Sequence, residues 1–208
     1  MKRKVVFIVL VAMVLSIIGA CNFNANAKRK IYNKDVYEYA KEYSKKNLRD
    51  TEIYSNGVVS KKEIEKRVRN IDENLDDRFK KSVEEISEDK ANEQALYLYA
   101  CDKKYSVSDE ELDVIINNIK KEIEGTEEEK LINDFIDGSG MSQEEYWDMV
   151  KERYRVTETI NKCLKDYEKE QIDKKNIDIE DENYNDEIIK IDDKLKEKAL
   201  KKYHIKIK

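Results

Sequence analysis

His204 is the only histidine in the 208 residues, and it falls near the end of the sequence, which narrows the histidine chemistry open to the chain. A catalytic triad or a site of several imidazoles would depend on this one ring, so His204 reads as a solvated or partly packed side chain. Asp137-Gly138-Ser139-Gly140 has the small residues of a nucleophilic serine loop. Such a loop follows a strand, whereas both flanks here have helical spacing, and a helix stop at Gly138 accounts for the stretch. Cys101 and Cys163 fit no metal spacing. Both fall in expected helices, where a free thiol packs as a small apolar group, although outside the cytoplasm a disulfide between them is also open. The acidic run from Asp178 to Glu187 lacks the glycine and ligand spacing of a calcium loop and reads as solvated charge. No catalytic residue, metal or cofactor follows, and no enzymatic activity is expected. What remains is aromatic: Tyr97, Tyr99, Tyr146, Trp147 and Tyr154 supply either ordinary core packing or an apolar surface for unfolded polypeptide.

The elements that carry these residues are helical. With no proline and five glycines, the chain lacks the punctuation of an all-β fold. Charged residues make up 42% of it, against an average of about a quarter, which suits thin helical packing. The expected fold class is all-α with minor β pairing. Four stretches have the form of a capping box, in which a hydroxyl and a carboxylate three residues apart satisfy each other's backbone amides: Ser60 with Glu63, Ser108 with Glu111, Thr126 with Glu129 and Ser142 with Glu145. Each opens an amphipathic run: Ile64 to Phe79, Leu112 to Ile123 before Gly125, Leu131 to Ile136, and Tyr146 to Leu164.

Ala91 to Lys104 reads as a helix whose apolar band is wide enough to be buried on more than one side. Val83 and Ile86 precede it, with a bend or break expected at Ser87-Glu88-Asp89-Lys90. A short turn at Tyr105-Ser106-Val107 joins this helix to the one from Ser108, and the two are expected to pack as a hairpin. Asn56-Gly57, between Ile53-Tyr54-Ser55 and Val58-Val59, marks a β-hairpin or an irregular turn. In the tail, Ile177-Asp178-Ile179 and Ile205-Lys206-Ile207 alternate like strands around a helical stretch from Glu187 to Tyr203. Their opposite charges suit cross-strand pairing, with extended coil the other reading. Asp35 to Leu48 has the spacing of a short helix.

Residues 1–20 have the layout of a secretory signal: Lys2-Arg3-Lys4, an apolar run from Val5 to Ile18, then Gly19-Ala20. That run is short for a membrane span. Ile18-Gly19-Ala20-Cys21 resembles the lipobox of bacterial lipoproteins, which implies cleavage before Cys21 and acylation of its thiol. Cleavage after Ala25-Asn26-Ala27 and an uncleaved anchor are the two other readings. Loss of residues 1–20 with their three cations takes the formal charge from −5 to −8. That balance disfavours nucleic acid as a partner, and net charge would not draw the chain to an anionic membrane.

Taken in order, three motifs resemble the N-terminal domain of SurA-type and PrsA-type extracytoplasmic chaperones. They are Asn56-Gly57-Val58-Val59-Ser60-Lys61-Lys62-Glu63, the stretch Ala100 to Glu111 with its Val107-Ser108-Asp109-Glu110-Glu111 turn, and Met141-Ser142-Gln143-Glu144-Glu145-Tyr146-Trp147. The likeness spans residues 52–165. Lys104 stands where that family commonly has glycine, Ser82 to Gln94 is longer than usual, and the family's parvulin-type prolyl isomerase domain has no counterpart. The resemblance implies a SurA N-terminal-like helical domain at 52–167. Ahead of it would lie a lipoprotein signal peptide at 1–20 and a tether with a short helix at 21–51; behind it, a closing helix and short strand within 168–208. It further implies a chaperone-like lipoprotein on the extracytoplasmic face of the cell membrane, binding unfolded or secreted polypeptides without isomerase activity. An assembly factor for one envelope partner on the same scaffold is the alternative, since fold does not fix function.

Overall fold

The computed structural model describes residues 54–55, 57–65, 82–175, 177–178 and 183–208. Cys21, the short helix expected from Asp35 and most of the helix expected from Ser60 lie outside the described residues. The elements are β1 (Tyr54–Ser55), β2 (Val58–Val59), α1 (Val83–Asp102), α2 (Asp109–Ile123), α3 (Glu127–Ser139), α4 (Gln143–Lys175), α5 (Tyr184–Tyr203) and β3 (Lys206–Ile207). The class is all-α with a minor sheet.

The helix starts follow their local sequence. The Ser108 hydroxyl accepts from the Glu111 amide at 3.2 Å while the Glu111 carboxylate accepts from the Ser108 amide at 2.9 Å, and Ser142 and Glu145 form the same reciprocal pair. Ser60 accepts from the Glu63 amide at 3.4 Å, and residues 61–65 are helical. Thr126 departs from the box: its hydroxyl accepts from the Glu129 amide at 3.4 Å, but the Glu129 carboxylate reaches back to the Gly125 amide, at 2.7 Å. A further box, Ser82 with Glu85, starts α1 at Val83. From there α1 runs unbroken through Ser87-Glu88-Asp89-Lys90, where a break was expected. The Ser87 hydroxyl donates to the Val83 carbonyl at 2.6 Å, so it is satisfied inside the helix. Buried Lys90 lies 3.2 Å from Glu93, which in turn pairs with Arg153 of α4. α3 closes at Gly140, in the left-handed conformation at φ +66, with Gly138 still inside the helix.

α1 is covered on two sides, by α4 and α5. Ala95, Leu96, Tyr99 and Ala100 of α1 meet Ile160 and Cys163 of α4 and Leu195 and Ala199 of α5 in one buried cluster. Full burial of a side chain such as Leu195 contributes about 2 kcal/mol. α1 and α5 run in the same direction, since Lys198 lies by Tyr99 and Lys202 by Asp102. The second apolar group joins Leu112, Ile116, Ile119 and Ile123 of α2 to Ile132, Phe135 and Ile136 of α3 and to Tyr146 and Val150 of α4, all buried.

α1 and α2 do not form the expected hairpin; they make little contact with each other, and each packs on α4. Their connection turns at Lys104, which takes a left-handed backbone at φ +65, and buries Val107. One face of α4 then clamps it. The Tyr105 hydroxyl donates to Asp166 at 2.9 Å, Lys162 donates to the Ser106 carbonyl at 3.0 Å and to Glu111 at 2.8 Å, and Arg155 donates to the Val107 carbonyl at 3.2 Å and to Asp109 at 2.6 Å. With Lys151 and Asp113 at 2.6 Å, the pairs climb α4 as they descend α2, so those helices are antiparallel.

β1 and β2 form the hairpin, with Tyr54 opposite Val59 and Ser55 opposite Val58, around Asn56-Gly57. Gly57 at φ +78 supplies the positive angle that such a two-residue turn requires. β3 adds to β2 in parallel, Val58 with Lys206 and Val59 with Ile207, in the order β1-β2-β3. Among the described residues Ile205-Lys206-Ile207 pairs with β2 and not with Ile177 or Asp178, which belong to no strand.

Candidate polypeptide-binding cleft

Trp147 sits in the second turn of α4, in an open cleft of about 720 Å³ between α2, α3 and the start of α4. Ile123 and Ile132, 3% and 2% exposed, back its wall from the core, and Lys120, Lys121, Glu124, Glu129, Glu144 and Asp148 line it. The indole is held from three sides. Its N–H donates to Gln143 Oε1 at 3.3 Å, and the Gln143 amide donates to Asn133 Oδ1 of α3 at 2.8 Å. Its ring meets Tyr146 edge to face at 5.2 Å between centroids, and Tyr146 in turn lies 6.1 Å from Phe135. Lys120 of α2 places its ammonium 4.8 Å from the indole centroid, within cation–π range. The result is one half-buried indole among six charged side chains.

The five aromatic candidates do not share one surface. Tyr146 is 1% exposed and Tyr99 5%, so both rings are part of the packing, and burial pushes the Tyr146 hydroxyl pKa up. Tyr97 and Tyr99 are two positions apart and leave α1 on different sides. Tyr97 is half-buried near Arg155 and Glu152 of α4, with burial and then the Cys101 thiol raising its pKa. Tyr99 lies toward α5. Tyr154 is half-buried midway along α4, its pKa pushed up to about 12 by burial and then by Glu158. Trp147 alone of the five lines the cleft. Gln143 could have been found from its spacing of four from Trp147 on a helix; Lys120 and Asn133 come from other helices and left no signal near it.

The remaining reactive groups are structural. The buried Ser139 hydroxyl donates to the Ile136 carbonyl at 3.0 Å, as part of a helix end. Cys101 is exposed and Cys163 buried, both as free thiols, and burial raises the Cys163 pKa. His204 is exposed and caps α5 in a left-handed conformation. Among the described residues no group of three His, Cys, Asp or Glu is placed to hold a metal ion, and no helix is long and apolar enough to cross a membrane. Comparison with protein-family models, with curated proteins and with solved structures found no match to the chain.

Proposed function

We propose that the protein is a lipid-anchored, chaperone-like binder of unfolded or secreted polypeptides on the extracytoplasmic face of the cell membrane, acting without prolyl isomerase chemistry. The observation that carries this reading is the cleft at Trp147, an indole set among charged side chains, an arrangement that keeps an exposed apolar patch small. Two further points support it. The three motifs that resemble SurA-type and PrsA-type domains lie at the hairpin of β1 and β2, the turn before α2 and the start of α4. Only eight residues separate Lys175 at the end of α4 from Tyr184 at the start of α5, where that family places its isomerase. The anchor is Cys21, read from Ile18-Gly19-Ala20-Cys21.

The test is light scattering of a refolding client with and without stoichiometric protein. Suppression by the wild type that falls in Trp147→Ser, with helix content and denaturation midpoint kept, is the expected result. Tyr146→Ser is no substitute, because Tyr146 is core. The two apolar groups beside Trp147 are few against six charged lining residues, which favours a second reading: one envelope partner of matching charge. Absence of suppression with several unrelated clients, together with one stoichiometric protein captured from intact membranes, would select it.

A further inference from the structure

Residues 194–208 carry seven lysines and one glutamate, a formal side-chain charge of +6, which leaves −11 for residues 1–193 of a chain whose total is −5. Four of those seven lysines gather on one side with Lys103, where Glu170 of α4 is an acidic neighbour of Lys103 and Lys198. Lys198 and Lys202 of α5 and Lys103 at the end of α1 bring their ammonium groups within 6.0 Å of the Tyr99 ring centroid. Lys206 and Lys208 extend the patch along β3, and all five lysines are exposed. Of them only Lys202 has a carboxylate within 4.0 Å among the described residues, Asp102 at 2.6 Å. We propose that this face, the end of α5 with β3, lies against an anionic lipid surface. At physiological salt, screening cuts interactions off beyond about 8 Å. A flat charged surface therefore meets the local patch rather than the opposing net charge of the chain.

Two features favour a membrane over other polyanions. The patch is a helix end and a strand edge, without the groove lined by stacking aromatics that single-stranded nucleic acid requires. The strand is also the third of the small sheet whose first strand, β1, begins at Tyr54, where the chain from Cys21 reaches the described fold. The inference rests on the membrane placement read from Ile18-Gly19-Ala20-Cys21.

The experiment uses the full chain reconstituted into phosphatidylcholine vesicles with and without phosphatidylglycerol, pulsed with an acetylating reagent and read lysine by lysine by mass spectrometry. Lys103, Lys198, Lys206 and Lys208 should be acetylated roughly fivefold more slowly when phosphatidylglycerol is present. Lys130 on α3 should not change, and high salt should abolish the difference. Equal rates in the two vesicle types would overturn the proposal. So would equal protection by duplex DNA added to neutral vesicles, which would assign the face to polyanions at large. The triple variant Lys198→Gln, Lys206→Gln, Lys208→Gln, checked for an unchanged denaturation midpoint, should lose the protection of Lys103. A missing acyl mass on Cys21 in the same spectra would count against the anchor, whereas equal lysine rates on an acylated chain would count against this face alone.

Discussion

Lys104 turns the chain between α1 and α2 with a backbone at φ +65, a conformation that costs a residue with a Cβ roughly 1–2 kcal/mol. Replacing it with glycine removes that strain and adds back some unfolded-state entropy, so Lys104→Gly should stabilise the protein by about 1 kcal/mol in a denaturant titration. Gly140 gives the mirror test. It sits at φ +66 with nothing within 4 Å of where a Cβ would lie, so Gly140→Ala should destabilise through the backbone alone, by about 1 kcal/mol. Ser108→Ala should also cost about 1 kcal/mol, and Ser108→Gly less. Equal, negligible losses for both Ser108 variants would mean that the cap contributes nothing. Ser108 was legible in the sequence, because a cap is decided by residues three positions apart; Lys104 stood out only through the resemblance, and the helix stop expected at Gly138 falls at Gly140. Ser82 and Glu85 have the same spacing, but the polar stretch Ser87-Glu88-Asp89-Lys90 that follows them breaks the apolar pattern, so the sequence pointed to an interruption there.

At the scale of elements, the contacts that set helices against one another were the ones that sequence could not show. Lys90 read as a polar interruption although Glu93 lies one turn on, because the second cation on Glu93, Arg153, is 60 positions further along and reaches it only when α1 meets α4. Burial raises the pKa of Glu93, but Lys90 and Arg153 outweigh it and hold the carboxyl below its ordinary value. Its contribution is therefore present above the unfolded-state value and is lost as pH falls through the lowered one. Glu93→Gln, which leaves two cations facing each other in a buried site, should cost on the order of 3 kcal/mol at neutral pH. Between α4 and α5 the sign reverses. Burial raises the pKa of Glu168, with the charge of Asp192 adding to it, and burial raises that of Asp192 as well. Asp192 Oδ1 is buried without a hydrogen-bond partner among the described residues. Both folded-state values lie above the unfolded ones, so this pair favours the fold below those unfolded values and loses that effect as pH rises through the raised ones. Asp192→Asn should raise stability at neutral pH and do little in mild acid. Denaturation midpoints across that range distinguish it from Glu93→Gln, whose deficit should shrink in acid.

At the scale of the whole molecule, the two ends of the described chain are joined in the small sheet. The parallel pairing of β3 with β2 spans about 150 positions and leaves no local trace, although β2 was marked by Asn56-Gly57 and β3 by its alternation. Beside the ladder itself, the joint is held by backbone hydrogen bonds from Lys206 to the Gly57 carbonyl at 2.9 Å, from Lys208 to the Val59 carbonyl at 2.9 Å, and from Lys61 to the Lys208 carbonyl at 2.6 Å. Val59 and Ile64 are fully buried, so the segment from Gly57 to Glu65 is held both by this strand and by the apolar core beneath it. Ending the chain at His204 removes the strand but none of the buried cluster of α1, α4 and α5. The expected result is partial: the helices persist, while the amides of Val59 and Lys61 exchange with solvent faster than those of α1, because local opening no longer breaks the pairing with β3. Native-state hydrogen exchange of the full and shortened chains measures this directly. Uniform acceleration across α1, α4 and β2 would mean that the sheet and the helices unfold as one cooperative unit. Unchanged exchange at Val59 and Lys61 would mean that the core alone holds the hairpin and that β3 adds nothing to it.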